Sequence, residues 1–117
     1  MATVLVVDDD EGVRNITAMI LKQKGHDILQ ASNGLEALMI YSSYRQKIDL
    51  VLTDVDMPQI NGLELAARIR ARDPSKRILL MSGRAQDDLA ASEDCSMLSK
   101  PFLPDQLIAA VESILKT

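Results

Sequence analysis

The sequence predicts an α/β protein, a doubly wound five-stranded parallel sheet with helices on both faces. Two observations carry this. The runs "TVLVVD" (3–8), "DLVLTD" (49–54) and "RILLMS" (77–82) are short, continuously apolar and rich in Val, Ile and Leu, as strands covered on both faces should be. The segments between them carry apolar residues at helical spacing, so strand and helix alternate along the chain. At 117 residues and 47% hydrophobic side chains, there is material for one sizeable core, and a single domain over 1–117 is expected.

Taken in order, the first strand runs into Asp10, which is suited to cap a helix, with Glu11 favourable in its first turn. Val13, Ile16, Ile20 and Leu21 then fall on one face, and Gly25 is placed to stop that helix. A weaker strand follows at "HDILQA" (26–31), where His26 reads as a surface residue at the strand edge. Asn33-Gly34 opens the second helix, along which Tyr41 and Tyr44 pack at helical spacing, and "SSYRQK" is its solvated end. After the strand at 49–54, Asn61-Gly62 opens a third helix, and the strand at 77–82 follows. "RAQDDLAASEDC" offers a helix of only about two turns with Leu89 as its large aliphatic anchor, which makes it the segment expected to move. The fifth strand is "SMLSK" (96–100), and the last helix carries Leu107, Ile108, Val111 and Leu115 as one stripe with Pro104 in its first turn. Met19, Met39 and Met81 are expected to fill the core. Right-handed crossovers between parallel strands would put a ligand site beyond the carboxyl ends of the strands.

Charge and composition exclude several classes. The net charge of -4 and the lack of a Lys/Arg block argue against direct nucleic-acid binding. Cys95 stands alone, so no internal disulfide is possible, and no apolar run approaches the roughly 18 residues of a membrane span. The start "MATVLVVDDD" lacks the basic region and apolar leader of a signal peptide. A cytoplasmic, reduced protein is expected.

In this architecture Asp8, Asp9 and Asp54 converge at one edge of the sheet. Two carboxylates roughly 4 Å apart repel by about 4 kcal/mol at an effective dielectric near 20, so the cluster needs a cation or a raised pKa. Oxygen ligands with room for water favour Mg²⁺ or Mn²⁺ over zinc, which would want Cys and His. From the other side come Ser82, followed by Gly83, whose missing Cβ would let the backbone approach an anion, and Lys100 before Pro101. Each alone reads as a solvated strand end. Together, an aspartate beside a metal, a hydroxyl and an ammonium are what is needed to attack a phosphoryl group and neutralise the acyl phosphate formed.

Over essentially its whole length the chain resembles the receiver domain of two-component response regulators, and among them is chemotaxis-regulator-like, through "VLVVDDD", "VLTDVDMPQING", "ILLMSG" and "SKPF" at successive strand ends. The resemblance implies a flavodoxin-like receiver fold with strand order 2-1-3-4-5. It also implies a phosphorylation-dependent switch, not a turnover enzyme, with Asp54 as phosphoacceptor. Asp9 and Asp54 would bind Mg²⁺ through carboxylates, Asp8 through water and Asp56 through its backbone carbonyl. Ser82 takes the position that contacts the phosphoryl group and Lys100 that of the lysine in the Lys-Pro pair, with the Lys100–Pro101 peptide cis as in the family. The side chains of Asp56 and Arg84 lie where family members tune hydrolysis. Implied partners are a sensor histidine kinase or histidine phosphotransfer protein, and a downstream protein. Met97 stands where many receivers carry an aromatic residue, so activation is expected to proceed without aromatic exchange and to be read through residues 84–99 and the last helix.

Two rivals share parts of the pattern. A phosphatase of the haloacid dehalogenase type also has an Asp-x-Asp after an apolar strand, but there that strand comes first and the acid pair last, the reverse of the order here. A pseudo-receiver would bind a partner without phosphorylation, but the site positions are all present.

Overall fold

The structure is a computed structural model that describes residues 2–83 and 96–116. Five strands form one parallel sheet: β1 (Thr3–Val7), β2 (Asp27–Ala31), β3 (Leu50–Asp54), β4 (Arg77–Ser82) and β5 (Ser96–Ser99), in the order β2-β1-β3-β4-β5. The described helices are α1 (Glu11–Gln23), α2 (Gly34–Tyr44), α3 (Gly62–Arg72) and α4 (Pro104–Leu115). The expected short helix in 84–95, including Leu89 and Arg84, lies outside the described residues.

The continuous apolarity of the strands has a direct structural cause. Leu5, Val7, Val51, Ile78 and Leu80 point to one face, against Tyr41 of α2 and Leu65 and Ile69 of α3. Their neighbours Val4, Val6, Leu50, Leu52, Leu79 and Met81 point to the other, against Leu21 of α1 and Leu107 and Val111 of α4. Successive side chains alternate faces and both faces are covered, so the strand interiors are apolar on both sides. At roughly 1.5–3 kcal/mol per fully buried aliphatic side chain, these two layers supply most of the favourable energy of the fold.

Helix starts follow the local chemistry. Asp10, Asn33 and Asn61 each accept the amide of the residue three further on, at Val13, Glu36 and Glu64. Pro104 begins α4, and Gly25, at φ 92°, takes the left-handed conformation that ends α1.

Some faces differ from expectation. On α1 the buried residues are Thr17, Ala18 and Leu21, whereas Ile16 is 58% exposed. Small side chains at 17 and 18 let the helix sit close to the sheet, and this turns Ile16 and Met19 outward. Met19 and Met39 are therefore not core residues, being 57% and 72% exposed, while Met81 is fully buried. Tyr41 is buried but Tyr44 is exposed, so the two do not pack together along α2. His26 is half-buried just before β2, its Nδ1 accepting the amide of Ala2.

Candidate functional site

The carboxyl ends of β1 and β3 are adjacent because β1 pairs directly with β3, Val7 opposite Thr53. Asp8 and Asp54 follow those paired residues, so their side chains meet at one edge. Asp8, Asp9 and Asp54 each bring a carboxylate oxygen within 4.8 Å of the others. Asp8 and Asp54 are buried and Asp9 is exposed. Three hard oxygen donors of this kind, open on the Asp9 side, fit a small divalent ion that keeps part of its water shell.

Each acid is held differently. Asp8 Oδ1 accepts the amide of Asp10 at 2.9 Å, and its Oδ2 accepts from Lys100 Nζ at 3.0 Å. Asp54 Oδ1 lies 3.3 Å from the same ammonium and 3.4 Å from the amide of Asp56. Burial pushes the Asp54 carboxyl above the ordinary range, opposed by Lys100 and reinforced by Asp8. Burial works to lower the Lys100 ammonium, but its hydrogen bond to Asp8 and the attraction of Asp54 and Asp8 hold it above the usual lysine value. The Lys100 ammonium thus faces both carboxyl groups at once.

β4 and β5 bring in the far side. Asp54 stands opposite Met81, so Ser82 lies one residue beyond it, buried at the same edge. The amide of Lys100 donates to Ser82 O at 2.8 Å, which ties the end of β5 to that of β4, and the Lys100–Pro101 peptide is cis. Gly83 is exposed, and a Cβ there would meet none of the described residues within 4 Å. Asp56 is exposed on the loop after β3, and Met97 is half-buried against the core layer of Leu80, its register neighbour.

One residue of this edge was not foreseen. Arg14, one turn into α1, donates from Nη1 to Asp8 O at 2.9 Å and from Nε to Gln30 Oε1 at 3.3 Å. Its only sequence signal is the helical spacing from the Asp10 cap, which turns residue 14 back toward the strand end.

This geometry has close counterparts. The chain matches the family model described as response regulator receiver domain over residues 4–112. It is 34% identical over 119 residues to the sensor kinase CckA of Brucella abortus, covering 98% of this chain but 13% of that protein. It is 33% identical over 121 residues to the chemotaxis protein CheY of Listeria monocytogenes, covering 99% of this chain and all of that one. The crystal structure of response regulator TrrA from Thermotoga maritima, in complex with Mg²⁺ and beryllofluoride, superposes with a TM-score of 0.86 at 34% identity over 97% of this chain and 99% of that chain.

Proposed function

The chain belongs to the response regulator receiver domain family, and on that premise we propose that Asp54 is the residue that carries the phosphoryl group. The protein is a phosphorylation-dependent signalling switch of two-component systems. The observation that carries the assignment is the position of Asp54, a buried carboxylate at a strand end, within 3.3 Å of a lysine ammonium and beside two further acids.

The donor in this reading is a phosphohistidine of a sensor histidine kinase or histidine phosphotransfer protein. An Asp54 carboxylate oxygen attacks the phosphorus. The new O–P bond forms as the N–P bond breaks, and the electron pair returns to the imidazole. Asp9 and Asp54 through carboxylates, Asp8 through water and Asp56 through its carbonyl would hold Mg²⁺, which when bound supplies positive charge to the phosphoryl oxygens. Lys100, already aimed at Asp54, neutralises the acyl phosphate, and the Ser82 hydroxyl donates to a phosphoryl oxygen. Spontaneous hydrolysis resets the switch. Its location is cytoplasmic, and no helix among the described residues is long and apolar enough to cross a membrane. Readout passes through residues 84–99 and α4 to a downstream protein.

Incubation with Mg²⁺ and a small phosphodonor should add one acid-stable, base-labile phosphoryl group, seen by intact mass, and Asp54→Asn should abolish it. Equal labelling of the variant would remove Asp54 from the mechanism.

A further inference from the structure

We propose that Arg14 is a positioning residue for the metal centre, acting through the peptide that joins Asp8 to Asp9. The proposal rests on the reading of the acidic cluster as a Mg²⁺ site. Among the described residues no hydrogen bond holds the carboxylate of Asp9, which is exposed, whereas Asp8 is fixed at both carboxylate oxygens. What orients Asp9 must therefore be its backbone. The carbonyl of Asp8 belongs to the planar peptide unit that ends at the Asp9 Cα. Arg14 Nη1 donates to that carbonyl at 2.9 Å, while the Asp8 amide, on the preceding peptide unit, donates to Ala31 O of β2 at 3.2 Å. The peptide plane is thus pinned, and with it the direction in which the Asp9 side chain leaves the chain.

The guanidinium is itself restrained. Its Nε donates to Gln30 Oε1 at 3.3 Å, and Gln30 sits on β2 in register with Val6 of β1. A planar fork with donors on two edges can bridge a carbonyl and an amide in one orientation, which an ammonium cannot reproduce. Gln30, Arg14 and the Asp8 carbonyl form a chain from the sheet edge to the acid cluster.

A positive charge beside a cation site would by itself weaken Mg²⁺ binding, so charge and positioning predict opposite signs when Arg14 is removed. Removing the clamp should weaken binding, because outer groups that orient metal ligands are worth about tenfold or more in affinity.

The test is Mg²⁺ titration of the unphosphorylated protein, read as the metal-dependent rise in melting temperature, for wild type, Arg14→Gln and Gln30→Leu. Arg14→Gln should raise the Mg²⁺ dissociation constant about tenfold, and Gln30→Leu, which changes no charge, should raise it by a smaller factor. Unchanged or tighter Mg²⁺ binding by Arg14→Gln would overturn the proposal, whatever the variant does to metal-free stability. If wild type shows no Mg²⁺-dependent shift at all, the metal reading falls and this proposal with it, whereas a wild-type shift that Asp9→Asn diminishes and Arg14→Gln does not would overturn the positioning role alone.

Discussion

The ammonium of Lys100 stands 3.3 Å from Asp54 Oδ1, reaching from the end of β5 across β4 to the end of β3. The same nitrogen lies 3.0 Å from Asp8 Oδ2, so one cation is shared by two buried acids. Lys100→Met would leave both acids facing each other without a counter-charge, at a cost of about 3 kcal/mol in metal-free protein. Mg²⁺ should recover much of this, because it binds only the folded state and supplies the missing charge. Melting in EDTA and in Mg²⁺ checks it. An equal loss in both would show that the lysine serves packing and not charge.

The two adjacent acids of the first loop should respond in opposite ways. Asp9 is exposed and adds repulsion that nothing among the described residues offsets, so Asp9→Asn should melt roughly a few degrees higher than wild type in EDTA and gain less from Mg²⁺. Asp8 is paired with Lys100 and accepts the Asp10 amide, so Asp8→Asn should melt lower. Parallel shifts of the two variants would contradict the division of roles read from the geometry.

The sheet and most of this site were legible in the sequence because their chemistry is local. Continuous Val/Ile/Leu runs set β1, β3 and β4, the Asn-Gly pairs set the starts of α2 and α3, and strand-end acids can converge only at one edge of a parallel sheet. The faces of α1 and α2 were not legible. Both helices carry apolar residues beyond their buried sides, and the choice between Ile16 and Thr17 depends on how closely the helix approaches the sheet. Arg14 was missed for a related reason, since a guanidinium that bonds a main-chain carbonyl leaves no residue-type pattern at the acceptor.

A second charged group, away from the edge that holds Asp8 and Asp54, should govern acid stability. The Arg45 guanidinium, bonded to Asp73 at 2.7 Å, and the Tyr41 hydroxyl, which donates to the same carboxylate, hold Asp73 down at about 2. Burial and the same acid push the Tyr41 phenol up. The folded state binds this proton more weakly than the unfolded chain, so the stabilisation is complete above the unfolded value near 4 and is lost as pH falls from about 4 to about 2. Asp73→Asn should therefore be less stable than wild type at neutral pH, with the gap closing across that window. A gap that stays constant down to pH 2 would rule the ionised pair out as its cause.

Gln59, on the loop between Asp54 and α3, has φ 66°, a left-handed conformation that costs a residue with a Cβ about 1 kcal/mol. Glycine there would remove that strain but loosen the unfolded chain, so Gln59→Gly should be neutral or stabilising by up to about 1 kcal/mol. Gln59→Val should destabilise by about 1–2 kcal/mol, since β-branching is least compatible with this backbone. Urea denaturation of the pair measures both, and a valine variant as stable as the glycine one would show that the loop relaxes freely.

Gly62 couples α3 to the strand end that carries Asp54. Its amide donates to Val55 O at 2.9 Å, and a Cβ at this position would collide with Asp54 O while lying 2.8 Å from Val55 Cα and 2.9 Å from Asp54 C. All three are main-chain atoms, so no rotamer change can relieve the overlap, and Gly62→Ala must shift either the start of α3 or the end of β3. Overpacking of this kind costs about 1–3 kcal/mol. At Gly34 an added Cβ also meets its neighbour tightly, at 2.7 Å, but there the contact is Ile60 Cβ, away from the strand that carries Asp54. Both alanine variants should lose stability, yet only Gly62→Ala should slow phosphoryl labelling, because only there does the strain enter the backbone that aims the Asp54 carboxylate. The comparison is made at saturating Mg²⁺ and at a temperature where each variant is fully folded. Equal labelling rates for the two would mean that α3 yields and that the end of β3 is held in place by its pairing to β1 and β4.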